Sequence, residues 1–174
     1  MGKAVNAPEK VKLFCGLIAV STDMMKSATQ KLVEKYGSID NESELVSFDY
    51  TDYYEREMGG HLVRKWVSFE DMICQEEIAG IKVYTNSLED VFASESKRRI
   101  NIDPGFMALS KIVLASTKDF SHRIYLSSGI YAEITLLYKK GAFHPLEWTY
   151  PDYKSQAAAD FFVKAREMYY SQIK

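Results

Sequence analysis

The segment from Val11 to Val20 constrains the fold more than any other stretch, because it is apolar nearly throughout. It is long for a strand and lacks helical periodicity, so it predicts a strand buried on both faces. Ser21 and Thr22 then offer a helix cap, and Gly37 offers a stop. Between them apolar residues repeat at spacings of three and four: Met25, Ala28, Leu32 and Tyr36. The chain therefore begins with a central strand followed by an amphipathic helix.

The next segments extend this start into a β-α-β-β-α-β order. Short strands are predicted over 45–48 and 62–67, with a polar and aromatic loop between them and a turn capped at Ser68 after them. A helix over 75–92 turns one apolar stripe inward, formed by Ile78, Ile81, Leu88, Val91 and Phe92. A fourth strand over 99–103 carries Ile100 and Ile102 on one face and Arg99, Asn101 and Asp103 on the other. This order is the ferredoxin-like pattern.

The segment Asp103-Pro104-Gly105 has two interpretations. It is a plain turn before a strand over 110–116, or it starts a helix in which Asp103 is the N-cap and Pro104 the first residue. We favour the helix, one face of which would carry Phe106, Leu109, Ser110 and Val113.

A hairpin is predicted over 123–136. A three-residue loop over 127–129, with Gly129 as its left-handed residue, places Leu126 opposite Ile130 and Arg123 opposite Glu133. A two-residue loop would mix the faces. In the three-residue register one face, expected to be buried, carries Ile124, Leu126, Ile130, Ala132, Ile134 and Leu136. The other face carries Arg123, Tyr125, Tyr131, Glu133 and Thr135.

The rest of the chain completes an α+β domain. A second hairpin turns at Lys140-Gly141, an aromatic connector covers 148–153, and a helix over 155–172 closes the chain. Together the elements predict one domain over residues 1–174, with 1–9 as a loose lead-in. Its sheet is expected to be mixed but mainly antiparallel, and to be covered by three or four helices.

Composition and charge exclude several classes of protein. A net charge of −2 and a pI of about 6.0 do not indicate a nucleic-acid binder. The two cysteines, Cys15 and Cys74, form no metal or redox motif and predict free thiols in a reducing cytoplasm. No apolar run is long enough to cross a bilayer and no secretory signal pattern is present. We therefore expect a cytoplasmic protein without a membrane partner.

Signatures for nucleotides and metals are absent from the sequence. There is no G-x-x-x-x-G-K-[ST] or G-x-G-x-x-G motif, and Thr117-Lys118-Asp119 lacks one residue of the guanine-reading N/T-K-x-D motif. His61, His122 and His144 lie far apart without the spacing of zinc ligands, so no metal site is predicted. Cofactors stay open.

Positive charge is gathered in the region 97–133, which carries six Lys or Arg residues against three acidic ones. If Pro104 opens a helix, its free N–H groups lie beside the guanidinium groups of Arg98 and Arg99 and form an anion site. The alternative is that Arg99 pairs with a carboxylate and Asp103 only caps. The predicted ligand-binding residues are Arg98, Arg99, Asn101, Asp103, Arg123, Tyr131 and Glu133.

The segment 118–123 contains an acid, a hydroxyl and an imidazole, the ingredients of acid–base chemistry. Histidine is the side chain suited to proton transfer near neutral pH, so His122 and Asp119 are the candidate catalytic residues for hydrolase or transferase chemistry. The alternative is a structural His122 beside a cross-strand pair of Arg123 and Glu133, a contact worth about 0.2–1 kcal/mol. Whether the protein is an enzyme stays open.

The favoured function is binding of a phosphate- or carboxylate-bearing small molecule, nucleotides included, at 97–133. The alternative is a non-catalytic protein-interaction module with a Tyr-rich surface, and RNA binding is third. The rings available to either are Tyr50, Tyr53, Tyr54, Trp148, Tyr150 and Tyr153. Acids beside both groups of rings repel phosphates, so we expect these rings to pack at the margins of the core. The oligomeric state stays open.

Six segments carry a family resemblance: VKLF at 11–14, FDYTDYY at 48–54, KRRINIDPG at 97–105, HRIY at 122–125, GIYAE at 129–133 and WTYPDY at 148–153. They resemble an uncharacterised family of prokaryotic proteins of similar length, filed as a domain of unknown function. The similarity covers nearly the whole chain. The family has no established activity or catalytic residues to carry over. Some members carry the label "GTP-binding protein", which the missing motifs do not support here.

Overall fold

A computed structural model describes residues 7–51 and 54–174, and within them the chain forms nine strands and three long helices. The strands are β1 Val11–Ala19, β2 Ile39–Glu42, β3 Val46–Phe48, β4 Leu62–Ile73, β5 Ile100–Ala108, β6 Lys111–Ser116, β7 Arg123–Ser127, β8 Ile130–Lys139 and β9 Ala142–Pro145. The helices are α1 Thr22–Tyr36, the single turn α2 Glu55–Met58, α3 Ile78–Phe92 and α4 Gln156–Gln172. The predicted α+β class with a mainly antiparallel sheet is confirmed. Of the predicted lead-in, residues 1–6 lie outside the described residues.

The first half of the sheet follows the ferredoxin-like order. Its strands run β2-β4-β1-β5, so that β4 lies between β2 and β1, and β1 lies between β4 and β5. Each strand–helix–strand unit is therefore split by a strand from the other unit, and each of these neighbouring pairs is antiparallel. The sheet continues as β5-β6-β8-β7, while β3 pairs with β4 and β9 with β8.

Two cores lie on opposite faces of this sheet. Leu13, Cys15 and Leu17 of β1 point into the core under α1 and α3. Phe14 points into the second core, under α4. The prediction that β1 is buried on both faces is confirmed along its whole length. Within the described residues, no helix is both long enough and apolar enough to span a bilayer.

β4 and β2 depart from the sequence prediction. The predicted turn at Ser68 is wrong, because β4 continues to Ile73 as a strand paired with β1 and β2. β2 was not predicted, since its sequence is polar. It forms because its side chains find buried partners: Asp40 pairs with Lys12, and the Asn41 amide donates to the Phe161 carbonyl. Contacts with distant parts of the chain, rather than the local sequence, therefore make both segments strands.

The helix favoured at Pro104 is wrong, because β5 runs through this position as a strand. Pro104 pairs with Cys15 in the sheet, and Gly105 pairs with Phe14. A Cβ atom on Gly105 would lie 2.5 Å from the Phe14 ring and 2.5 Å from the Val113 carbonyl oxygen. The glycine therefore serves close strand packing rather than a helix turn. The alternative of a strand over 110–116 is close to the observed β6.

One residue of the stripe predicted to face inward on α3 does not do so, because Val91 is exposed.

The hairpin of β7 and β8 has the predicted register but a different loop. Ser128 (φ 53°) and Gly129 (φ 76°) form a two-residue turn. Ser127 rather than Leu126 therefore pairs with Ile130, and Leu126 becomes a β-bulge. A two-residue turn plus a bulge offsets the strands by as much as a three-residue loop does. Hence two predicted pairs are confirmed: Arg123 with Glu133 and Ile124 with Ala132.

The prediction of which hairpin face is buried is confirmed for Ile130 and Leu136 and wrong for Ile124, Leu126 and Ile134. Ile124 is 71% exposed and Ile134 is also exposed, whereas Arg123, Glu133 and Thr135 are buried. β7 is the edge strand, so Ile124 lies beyond the strands that α1 and α3 cover. The connection after β9 covers the polar face instead, where the Thr149 hydroxyl donates to the Thr135 carbonyl.

Candidate functional site

A pocket of about 530 Å³ lies where β5 and β6 separate. The two strands pair only from Gly105 to Ala108 of β5 in the described part of the chain, so residues 100–104 of β5 have no β6 neighbour. Beyond this point β6 remains paired with β8 and no longer with β5. The opening is lined on one side by Asn101 and Asp103 and on the other by the end of β6. The pocket is therefore a gap within the sheet itself.

Two side chains of α3 bridge the unpaired edge of β5. The Glu89 carboxylate accepts a hydrogen bond from the Ile102 N–H (2.6 Å), and the Lys82 ammonium donates to the Ile102 carbonyl (2.9 Å). Lys82 also lies 3.3 Å from the Asp103 carboxylate. Burial raises the pKa of Glu89 to about 7, although Lys82 and the Ile102 N–H oppose this shift. A carboxyl group that titrates near neutral pH thus lies in the pocket wall.

Arg98 links this edge to the pocket mouth. Its guanidinium donates to the Asn101 side-chain oxygen (3.0 Å), and the Asn101 amide donates to Asp103 (2.6 Å). Its Nε lies 3.7 Å from a Glu89 oxygen and 3.6 Å from a Glu57 oxygen. Arg98 therefore lies between two acids, and it is a partly buried residue of the pocket lining.

The opposite wall of the pocket contains a buried arginine. Arg64 of β4 pairs with Asp152 (2.9 Å), and its guanidinium lies over the rings of Trp66 (4.4 Å) and Tyr153 (5.3 Å). Two buried nitrogens here, Nε and Nη1 of Arg64, have no hydrogen-bond partner among the described residues. Gly16 lies beneath them, and a Cβ there would lie 2.7 Å from Arg64 Nη2.

The electrostatics of this wall follow from burial. Burial raises the pKa of the Asp152 carboxyl, and the neighbouring Arg64 charge offsets part of that effect. Two buried opposite charges therefore neutralise each other, while the remaining N–H groups of Arg64 stay available. Native proteins leave few buried donors unpaired. The two unpaired nitrogens of Arg64 indicate a place where an acceptor would be stabilised.

Arg123 and Glu133 form a hub beside the pocket. Arg123 donates from Nε to Glu133 (2.8 Å), from Nη1 to Ser116 Oγ (2.9 Å) and from Nη2 to the Tyr150 hydroxyl (2.9 Å). A ring nitrogen of His122 lies 3.0 Å from the same Glu133 oxygen, and the imidazole stacks on Trp148 with centroids 4.8 Å apart. Arg123 thus fixes the walls of the pocket by contacts within the protein.

The structure brings five of the predicted ligand-binding residues together on the pocket lining: Arg98, Asn101, Asp103, Arg123 and Glu133. It places the other two elsewhere. Arg99 is exposed just before β5, and the Tyr131 ring packs on Tyr125. Of the two catalytic candidates, Asp119 is exposed and His122 contacts Glu133 from outside the lining.

Several lining residues were missed because they lie outside 97–133: Arg64, Lys82, Glu89 and Asp152. Lys82 and Glu89 are seven residues apart, two helical turns, and share the side of α3 that carries buried Ile78 and Leu88. A charged pair on the inward side of a predicted helix was the available signal. For Arg64 the signal was a cation within a strand of mostly apolar residues.

The predicted packing of aromatic rings at the core margin is confirmed for two of them. Tyr54 packs against Phe48 and its neighbours, and Tyr153 is buried under α4. Tyr53 lies outside the described residues. Tyr50 and Tyr150 stay partly exposed at the pocket mouth.

The family model for a domain of unknown function, DUF4416, matches residues 9–169. The chain belongs to this family. The match spans every element from β1 to most of α4, so it includes all residues of the pocket. It agrees with the resemblance carried by the six sequence segments. No curated protein and no solved structure matches the chain significantly.

Proposed function

We propose that this member of the DUF4416 family binds a small molecule with a phosphate or carboxylate group in the pocket between β5 and β6. The observation that carries this is Arg64, a residue of the pocket lining whose buried guanidinium nitrogens Nε and Nη1 have no protein partner. A buried donor left unpaired costs about 1–3 kcal/mol. An oxyanion that reached it would recover that energy through charge-assisted hydrogen bonds.

The charges on the lining support an anion rather than a cation. The described lining contains five basic side chains (Arg64, Lys82, Arg98, Lys118 and Arg123) and four acidic ones (Glu89, Asp103, Glu133 and Asp152). Glu89 has a pKa of about 7, so near neutral pH it carries less than a full negative charge on average. The balance inside the pocket is therefore positive, although the whole chain has a net charge of −2.

The protein residues divide into two roles. Arg64 and Arg98 are the lining arginines that we assign to the ligand. Arg123 is a positioning residue, because all three of its nitrogens donate to protein groups. We propose binding rather than catalysis, since Asp119 and His122 do not reach the lining.

A thermal-shift measurement with inorganic phosphate, sugar phosphates, nucleotides and small carboxylic acids tests this function, since a ligand that binds only the folded state raises Tm. The adjacent variants Arg98→Met and Arg99→Met form a matched pair, because Arg98 lines the pocket and Arg99 does not. We expect an anion to stabilise the wild type and Arg99→Met, and to stabilise Arg98→Met much less. No shift in the wild type, or equal shifts in both variants, would contradict the proposal.

A second candidate function, a protein-interaction surface, is favoured by β7. This strand lies at the sheet edge, and its consecutive residues Ile124, Tyr125 and Leu126 are exposed. Natural edge strands are usually protected from pairing by charges, prolines or bulges. β7 has a bulge at Leu126, but its residues 124–126 contain no charge and no proline. Light scattering over a range of concentrations tests self-association. We expect Ile124→Lys to lower the mass at high concentration if β7 pairs with a second copy, and an unchanged monomeric mass in the wild type would exclude that pairing.

A further inference from the structure

Five aromatic side chains line the pocket: Phe48, Tyr50, Tyr54, Tyr150 and Tyr153. They come from two separate parts of the chain, the end of β3 with the connection to β4 and the turn before α4. The second group is joined to the hub by the hydrogen bond from Arg123 to the Tyr150 hydroxyl (2.9 Å). Two unrelated connections therefore bring rings to one pocket.

The rings are arranged as a supported rim. The Phe48 ring is buried and meets Tyr50 and Tyr54 edge to face, with both centroid distances at 5.7 Å. Tyr50 is 40% exposed and Tyr150 is 44% exposed, and both line the pocket. Large rings that are held in place yet remain half in solvent offer a flat apolar surface at low entropic cost. These two tyrosines are the rings that a ligand can reach.

Two rings and one cation lie at different depths of the pocket. Tyr50 and Tyr150 are half in solvent, whereas the Arg64 guanidinium is buried in the wall with two unpaired nitrogens. A ligand that fits both parts has an anionic end and a planar end. A pocket of about 530 Å³ is within the range that holds ligands of drug or mononucleotide size.

We infer that the ligand carries a planar aromatic or heteroaromatic ring, held at the rim by Tyr50 and Tyr150, in addition to its phosphate or carboxylate group. This inference rests on the proposed function and narrows it to ring-bearing anions of about mononucleotide size. Stacking on an aromatic side chain does not depend on base identity, because every such ring has a π face. The geometry therefore assigns a class of ligand rather than one compound.

Three probes separate the ring from the charge: AMP has both, ribose 5-phosphate has the charge alone, and adenosine has the ring alone. Binding is measured by calorimetry on the full chain, with Tyr50→Leu as the test variant. Tyr125→Leu is the matched control, because Tyr125 is 58% exposed on β7 and lies outside the pocket lining. Both changes remove an exposed tyrosine ring.

We expect AMP to bind the wild type at least about tenfold more tightly than ribose 5-phosphate does, as one stacking contact provides. Tyr50→Leu should reduce AMP binding by about tenfold while leaving ribose 5-phosphate unchanged. Tyr125→Leu should change neither.

The outcomes distinguish the ring from the anion. Equal binding of AMP and ribose 5-phosphate, or equal losses in Tyr50→Leu and Tyr125→Leu, would overturn the ring inference and leave the anion site standing. Binding of adenosine as tight as that of AMP would support the ring and overturn the anion site. If none of the three probes binds, both are overturned for ligands of this size.

Discussion

Glu89 on α3 and the backbone N–H of Ile102 on β5 form a hydrogen bond of 2.6 Å in which a helix side chain occupies the place of a neighbouring strand. Lys82, two helical turns earlier, binds the carbonyl of the same residue. Together they satisfy both backbone groups of Ile102 where β6 has turned away from β5. The sheet therefore opens at its centre with both backbone groups of Ile102 paired, and the pocket occupies that opening.

The first prediction concerns pH and Glu89. Its pKa rises from 4.5 to about 7 on folding, so the folded state binds the proton more strongly than the unfolded chain does. The resulting stabilisation is fully present below about pH 4.5 and is lost as the pH rises through about 7. Glu89→Gln should remove this loss, so that the free energy of unfolding falls less between pH 5 and pH 8 than in the wild type.

Urea unfolding at several pH values measures this difference. Asp90→Asn is the control, because Asp90 is the adjacent residue and is exposed. An identical pH dependence in the wild type and Glu89→Gln would contradict the assignment of Glu89 as the group that titrates.

The second prediction concerns the buried pair of Arg64 and Asp152. Asp152→Asn should destabilise the protein by about 3–5 kcal/mol, because the charge of Arg64 would remain buried without its partner. The double variant Arg64→Met with Asp152→Asn should recover part of that loss, since no buried charge remains. Chemical unfolding of the wild type, the two single variants and the double variant gives the four free energies of unfolding of a double-mutant cycle. Strictly additive losses would mean that the two charges do not interact.

The third prediction compares two glycines. Gly105→Ala should be strongly destabilising, because the new methyl group would lie 2.5 Å from both the Phe14 ring and the Val113 carbonyl. Gly80→Ala on α3 has no atom within 4 Å of the new methyl group, and should stabilise the protein by about 0.4–1 kcal/mol. The midpoints of thermal unfolding give the comparison. A tolerated Gly105→Ala would show that β1 and β5 do not pack as closely as described.

The fourth prediction concerns the two thiols. Cys15 is fully buried in the core beneath α1 and α3, and burial raises the pKa of its thiol well above the usual range. Cys74 is partly exposed. A thiol reagent in native buffer should therefore label one cysteine per chain, Cys74, and label Cys15 only after denaturant is added. Rapid labelling of Cys15 in the folded protein is the result that would refute the burial of β1.

Local sequence patterns predicted the elements that carry their own signals. β1 is apolar on both faces, and α1 begins at a serine cap and ends at a glycine whose φ is 87°. The alternation over 100–103 also placed Asn101 and Asp103 on one face, which is how two pocket residues were found from the sequence. Their positions depend only on the period of a strand.

Long-range pairing decided the features that the sequence left undetermined. β2 is polar and becomes a strand only beside β4, where Asp40 meets Lys12. Pro104 and Gly105 have a typical turn sequence, yet pairing with β1 holds them in a strand. In the hairpin the register of Arg123 with Glu133 followed from the sequence. Which face is buried depended on where the edge of the sheet falls.

The sequence by itself determined the central strand β1, the helices α1 and α3 and the basic region 97–133, because periodicity and charge are properties of neighbouring residues. Only the tertiary structure decided the pocket. Its charged wall joins Arg64 of β4, Glu89 of α3 and Asp152 before α4 to Asp103 of β5. These residues are separated by tens of positions, and burial among partners rather than local pattern sets their hydrogen bonds and the raised pKa of Glu89.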